Sequence, residues 1–409
     1  MNNERQTVVI IGSGITGLTA AQDLADYDLN IHLVEKEPFL GGHAIAYNCK
    51  ATEECRQCDA CTVEKALKQV LENPNITVHR GSKVVDFSTP APYTLTIEQS
   101  PLFDGNQDQA ILAQNYDSCP VHKGILKGTS PSHDPLYAVN PSKITELKTS
   151  LGQSGLDLDQ EPNRHTVTAD SVILASGFVP FAGEQKTTYN YGQLPNVVTA
   201  MDMELMKKEY GSYLRASDQA APQKVAFIQC VGSRNEQFGH LWCSHVCCPY
   251  ALRMAEVMKS QDPQAQVSIY YMDIQNIGKE SPLFYNQCRD DLEFIRTIPV
   301  DIYAGEDDHL LVSTVDEYDG SLHNKEHDLV ILSVGIMPGE DNPSLARLLD
   351  LNLTGEGFFQ VQNELDTTST PKPGIYLAGT TTGPKSIAES ISHAGLAVRQ
   401  AAKYLGVSK

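Results

Sequence analysis

A short apolar run that breaks at a set of three glycines most constrains this chain. Thr7 to Ile11 (TVVII) is continuous and β-rich. It meets Gly12-Ser13-Gly14-Ile15-Thr16-Gly17, then a helical run from Leu18 to Tyr27. A second strand-like run, Ile31 to Val34, ends at Glu35. Strand, G-x-G-x-x-G, helix, strand and acid, in that order, predict a βαβ unit and a parallel sheet. Gly12 permits the tight turn, Gly14 lets backbone approach a pyrophosphate, and Gly17 lets the helix pack on the strand. The helix N-terminus turns free N–H groups and its dipole toward phosphate, with Ile15 and Thr16 in the turn that leads into it. Glu35, 18 residues after Gly17, stands where the fingerprint places an acceptor for ribose hydroxyls.

The next residues choose between dinucleotides. Lys36-Glu37-Pro38-Phe39-Leu40-Gly41-Gly42-His43 follows the acid. An acid followed shortly by a Gly-Gly pair resembles the two-dinucleotide-binding flavoproteins, where the pair passes the FAD pyrophosphate. FAD is therefore the expected cofactor. His43 is either a phosphate-neutralising group or a surface histidine beside a turn.

The chemistry concentrates in Val225 to Arg253, VAFIQCVGSRNEQFGHLWCSHVCCPYALR. An apolar strand leads into Cys230, Cys243, Cys247 and Cys248, spaced C-x12-C-x3-C-C, and then into an amphipathic helix. Four thiols this close match the number of thiolates that a [4Fe–4S] cube needs. Buried free cysteines or a disulfide pair are the alternative. FIQCVGSR followed by WCSHVCCPYAL resembles the signature of the A-type subunit of heterodisulfide reductase, shared with its flavoprotein relatives. In that family four cysteines at this spacing hold an unusual [4Fe–4S] cluster. The resemblance assigns those ligands to Cys230, Cys243, Cys247 and Cys248.

A second cysteine group, Cys49, Cys55, Cys58 and Cys61, lies in YNCKATEECRQCDACTVEK. Its C-x2-C-x2-C core resembles a ferredoxin run, with Cys49 or Cys119 as the fourth ligand. Zinc suits four thiolates too, although electron transfer in an FAD protein favours iron–sulfur. Family members have a cysteine pair here, followed by a helix and an HPNI-like strand. Cys58, Cys61, the run Thr62 to Glu72 and Asn73-Pro74-Asn75-Ile76 match that layout. Full-length relatives often hold a two-cluster ferredoxin insert near Thr89 to His133. Here that proline-studded stretch contains only Cys119 and reads as an irregular excursion.

In the second half, Val225 to Gln229 runs into Cys230-Val231-Gly232-Ser233-Arg234, with no second G-x-G-x-x-G. A cluster ligand stands where a pyridine-nucleotide reductase would approach a pyrophosphate, so loss of NAD(P)H binding is expected. Ala175-Ser176-Gly177 resembles the segment where the flavoprotein chain crosses between domains. Gly379, Thr380 and Gly383-Pro384-Lys385, leading into a helix from Ile387 to Leu405, fit the family's closing AG-x-x-x-GPK pattern. The resemblance places Lys385 near a reduced flavin. It also places Arg253 where relatives commonly have a lysine; a helix-surface arginine is the other reading. Cys288 reads as a packed thiol.

The expected fold is an α/β two-dinucleotide-binding flavoprotein resembling thioredoxin and glutathione reductases. Its FAD domain spans residues 1–220, with the cysteine-rich segment 49–61 and the excursion 89–133, and closes with residues 341–409. A second Rossmann-like domain spans residues 221–340. A formal charge of −20 argues against a phosphate backbone or an anionic lipid surface as the natural partner. No apolar run spans a bilayer, and the opening residues have no signal-peptide layout, so a cytoplasmic protein is expected. There, ten cysteines read as metal or redox groups. The resemblance implies an FAD and iron–sulfur electron-transfer subunit of a heterodisulfide reductase-like complex. The compact form without the ferredoxin insert equally resembles the A subunit of a quinone-interacting membrane-bound oxidoreductase or of a sulfur-oxidising heterodisulfide reductase-like system. Its partners would be heterodisulfide reductase B/C-like or quinone-interacting subunits, or a second copy of the chain. The rivals are a self-contained NAD(P)H-dependent flavin disulfide reductase and a zinc-stabilised, FAD-bearing scaffold.

Overall fold

Apolar strands buried on both faces need helices on both sides, and this chain builds two such parallel sheets. The computed structural model describes residues 5–100, 109–116, 125–129, 135–140, 143–150, 161–275 and 281–409. The first sheet runs Ile375–Leu377, Ser171–Leu174, Thr7–Ile11, Asn30–Val34, Ile76–His79, every neighbouring pair parallel. The second runs Val197–Thr199, Leu329–Val334, Lys224–Val231, Gln266–Tyr270, Glu293–Ile295, again all parallel. Thr7–Ile11 and Lys224–Val231 occupy the same central place in the two sheets. The turn after Ile11 and the turn after Val231 are therefore structural counterparts.

Alternation along the first strand feeds two cores. Val8 and Ile10 pack into the helical layer of Ile15–Leu24 and Ile387–Leu405, while Val9 and Ile11 face the opposite layer. The helix Ile387–Leu405 has clear local causes. Ser386 Oγ accepts from the Glu389 amide, Glu389 returns the bond to the Ser386 amide, and Gly406 closes the helix at φ 70°. Its buried stripe of Ala394, Ala397, Val398 and Ala401 has helical spacing, and these small side chains let it pack closely on Ile15–Leu24.

Several expectations shift. The first helix begins at Ile15, inside the glycine motif, and ends at Leu24. The excursion 89–133 is not irregular throughout. Tyr93–Gln99 is a regular strand between Ser82–Ser88 and Asn163–Ala169, burying Tyr93, Leu95 and Ile97 in strict alternation. Pro90 and Pro92 concealed it because they precede the strand and do not interrupt it. Further on, Gln109–Tyr116 is helical and Ile125–Thr129 pairs with Pro135–Val139. Val197–Thr199, within the range expected for the first domain, pairs with Leu329–Val334 in the second sheet.

The chain crosses between the sheets as an antiparallel ribbon, Phe178–Pro180 against Ile336–Pro338. A buried polar knot closes the seam beside it. Lys50 and Glu204 form an ion pair with side chains only 2% and 0% exposed. Lys50 Nζ also donates to the Asn48 carbonyl at 2.8 Å. Glu204 accepts from the Asn48 amide at 2.9 Å, from Asn48 Nδ2 at 2.8 Å and from the Tyr250 hydroxyl at 2.8 Å. Every charge is thus paired and hydrogen-bonded, the condition under which burial is tolerated. The knot ties the segment starting at Cys49 to the helices Ala200–Tyr210 and Cys247–Gln261.

Removing one charge leaves the other stranded. Lys50→Met or Glu204→Gln should each lower the unfolding free energy by about 3–5 kcal/mol. The double variant should lose less than the sum of the two, as read from urea unfolding. A second prediction concerns His79, whose ring stacks between His32 and His165 at centroid distances of 5.2 and 5.0 Å. Burial, and then the two neighbouring imidazoles, push its pKa down to about 4. The unfolded imidazole takes its proton near 6.5, so stability should be constant above that pH and fall as pH drops toward about 4. Thermal midpoints of wild type and His79→Gln should converge as the pH falls below about 6.5, with the variant showing the flatter profile.

Candidate functional site

Backbone crowding shapes the first half of the site. A Cβ on Gly12 would lie 2.2 Å from the Ala175 carbonyl oxygen, so only glycine fits where the first strand passes the end of Ser171–Leu174. Gly17 meets the Gly12 carbonyl, and Gly14 has open space in front of it. Gly41 pairs with the motif through its amide, 2.9 Å from the Ser13 carbonyl, and Gly42 lies against Gly14. Glu35 accepts from the Ser13 amide at 2.8 Å, the Ser13 hydroxyl at 2.6 Å and the Glu37 amide at 2.9 Å. Its carboxylate therefore fixes the loop as well as facing the site.

These groups open onto a single continuous cavity of about 1350 Å³. Gly12, Gly14, Ile15, Thr16, Glu35, Lys36, Gly41, Gly42 and His43 line one part. Ala175, Ser176 and Gly177 line it after the crossing strand, and Thr380, Lys385 and Ile387 line it at the closing helix. Gly17, Gly379, Gly383 and Pro384 are not part of this lining. Gly379 supports it through its amide, 2.9 Å from His393 Nδ1, and through contact with Thr16. Lys385 Nζ donates to Thr382 Oγ1 at 2.8 Å, and burial pulls its pKa down. Lys36 pairs with Asp341. His43 bonds the Phe178 carbonyl at 3.0 Å, and burial lowers its pKa.

The four-thiol segment sits at the counterpart turn of the second sheet. Its strand Lys224–Val231 loses register between Ile228 and Val231, and Cys230 adopts φ 59°. Gly232, Arg234 and His245 are also left-handed, at φ 80°, 51° and 62°. Such strain in non-glycine residues clusters at functional sites. Cys247 and Cys248 open the helix Cys247–Gln261, under its N-terminal dipole. The Cys247 thiol lies in hydrogen-bond contact with both Cys230 and Cys248. Sharing its proton pulls the pKa of Cys230 and Cys248 down and pushes that of Cys247 well up. Cys243 accepts from the His245 amide at 3.3 Å, while burial pushes its pKa up. Cys247 and His245 also line the large cavity, whereas Cys230, Cys243 and Cys248 stand behind them.

The N-terminal cysteines are arranged differently. Cys49, Cys55 and Cys61 are exposed and Cys58 half-buried, yet all four line the same cavity. Among the described residues no three or more His, Cys, Asp or Glu are grouped so that they could hold a metal ion. Cys119 lies outside the described residues. Arg253 is half-buried and lines the same cavity. Its Nε donates to the Arg56 carbonyl at 2.8 Å, and its charge faces Cys58 and Asp59. It thus bridges the helix of Cys247 to the N-terminal cysteine loop. Cys288 is fully buried, with its pKa pushed up by burial.

Sequence reading missed Lys50, Glu204, Tyr250 and Asp273. Arg234 was visible within VGSR, but nothing local revealed its partner.

Comparison with known proteins places these features. Residues 10–61 match the NAD(P)-binding Rossmann-like domain family. The chain is 31% identical over 413 residues to the iron–sulfur A-type subunit of the CoB–CoM heterodisulfide reductase of Methanocaldococcus jannaschii, covering 95% of this chain and 63% of that one. It is 29% identical over 425 residues to the A-2 iron–sulfur subunit of the Methanopyrus kandleri enzyme, covering 98% and 64%. The chain thus spans less than two thirds of the length of these relatives. Among solved structures, thioredoxin reductase from T. acidophilum superposes with a TM-score of 0.55 at 14% identity, covering 98% of this chain and 99% of that one. The Lactococcus lactis thioredoxin reductase gives 0.54 at 15%, covering 98% and 99%; both show the fold alone. The chain has the two-domain Rossmann fold seen in FAD-dependent disulfide oxidoreductases, and over almost all of its length it is similar to the A-type subunits of the CoB–CoM heterodisulfide reductases.

Proposed function

We propose that this chain is an FAD- and iron–sulfur-containing electron-transfer subunit of a heterodisulfide reductase-like complex. It would relay electrons between a two-electron partner and one-electron carriers. The observation behind this reading is the shared cavity, which runs from the Gly12–Gly17 turn to Cys247. When bound, FAD exchanges electrons in pairs or singly and a [4Fe–4S] cluster carries one at a time.

The residues present fit both groups. Gly14 leaves open space beside a helix N-terminus, as a pyrophosphate needs. Cys247 in contact with both Cys230 and Cys248, and Cys243 close enough to feel those two electrostatically, make a donor set without imidazole or carboxylate. Soft thiolate ligands of that kind suit iron–sulfur clusters and zinc. The relatives' description as iron–sulfur subunits favours iron. In this reading Glu35 and the Gly41-Gly42 strand orient the dinucleotide, and Lys385 faces its reactive end. Cys49, Cys55, Cys58 and Cys61 offer thiols for a second cluster, whose ligand set includes Cys49 or Cys119. The partners are other subunits of the complex. Among the described residues no helix is long and apolar enough to cross a membrane, so any membrane attachment of a cytoplasmic complex runs through those subunits.

A self-contained NAD(P)H-dependent reductase needs a second nucleotide turn, and Cys230 and Gly232 occupy that place. A Cβ on Gly232 would come within 2.0 Å of the Phe181 ring, so the turn is already packed from the side.

Anaerobic iron, sulfide, zinc and flavin analysis with EPR tests the proposal. Purified protein should hold one FAD and about four iron per chain, or about eight if the N-terminal thiols also bind a cluster. Cys247→Ala should lose about four iron while keeping its flavin. Zinc without iron would overturn the electron-transfer reading. Rapid flavin bleaching by NADH alone would favour the self-contained reductase.

A further inference from the structure

We propose that Arg234, braced by Asp273, sets the reduction potential of the four-thiol site through its charge. The inference rests on the reading that Cys230, Cys243, Cys247 and Cys248 hold iron. Arg234 lies four residues beyond Cys230, on the same turn, and its charge acts on both Cys230 and Cys243. Its guanidinium forms a two-pronged bridge to Asp273, with Nη1–Oδ1 at 2.5 Å and Nη2–Oδ2 at 3.0 Å. Asp273 in turn places its carbonyl oxygen 4.0 Å from the Cys248 sulfur. These groups form a ring from Cys230 through Arg234 and Asp273 to Cys248, and back through Cys247.

The backbone is shaped for this placement. Arg234 sits at φ 51° with its amide bonded to the Trp242 carbonyl at 3.1 Å. A left-handed arginine is strained, and strain of this kind persists where the surroundings over-determine it. Guanidinium keeps its charge at any working pH, so the effect does not depend on a protonation event. Reduction adds one electron to the site with no bond made or broken. The added negative charge is stabilised by the guanidinium on the thiol side and opposed by the carboxylate behind it. Arg234 and Asp273 therefore act with opposite sign, although they belong to one salt bridge.

That sign difference separates a potential-setting role from a merely structural one. The experiment is an EPR-monitored redox titration of the anaerobically reconstituted full chain: wild type, Arg234→Gln, Arg234→Lys and Asp273→Asn. Arg234→Gln should shift the reduced-to-oxidised ratio about tenfold toward oxidised, a midpoint about 59 mV lower for one electron. Asp273→Asn should move the midpoint upward, and Arg234→Lys should stay near wild type. Equal shifts in one direction, or none, for Arg234→Gln and Asp273→Asn would overturn the inference while leaving the cluster reading intact. If Arg234→Gln does not fold, a downward or absent shift in Asp273→Asn overturns it alone. Wild-type protein that takes up no iron overturns the cluster reading and this inference with it.

Discussion

The structure depends on where two parallel sheets direct the carboxyl ends of their central strands. In an open parallel sheet that end is where helix N-termini gather and ligands bind. Here Thr7–Ile11 ends in glycines and Lys224–Val231 ends in a left-handed cysteine. One architectural position, used twice, serves two chemistries. The first turn offers backbone N–H groups and open space; the second offers sulfur under a helix dipole.

What brings the two turns to one cavity is the seam between the sheets. A two-stranded ribbon makes the covalent crossing, and the Lys50–Glu204 knot makes the non-covalent one. Tyr250 belongs to both the knot and the helix of Cys247, and Cys49 is the neighbour of Lys50. Arg253, one helical turn beyond Cys248, reaches the Arg56 carbonyl from the same helix. The N-terminal cysteine loop is therefore fastened to the four-thiol helix at two separate points.

The sequence made local features legible and hid long-range ones. The helix Ile387–Leu405 was readable to the residue because Ser386, Glu389 and Gly406 signal its ends. The parallel sheets were readable because their strands are apolar on both faces. Tyr93–Gln99 was missed because flanking prolines outweighed a plain Y-x-L-x-I alternation. The Lys50–Glu204 pair joins positions 154 apart, and Arg234–Asp273 joins positions 39 apart. No periodicity or spacing rule reports such partners. The cysteine spacing put two thiols at a helix start, but it did not reveal that Cys230 would be left-handed or that the charge of Arg234 would act on it.

The desolvated knot at the seam also bears on how the molecule moves. Two domains joined only by a two-stranded ribbon can swing, because a ribbon bends without disturbing much packing. Swinging here would pull Lys50 away from Glu204 inside a dry interior, where an unmatched charge is strongly disfavoured. The hinge is consequently latched. A latched hinge holds the distance between the Gly12–Gly17 turn and Cys247 constant. Under the proposed electron-transfer role, electrons would cross a fixed gap, and large motion would fall to whatever docks on this chain.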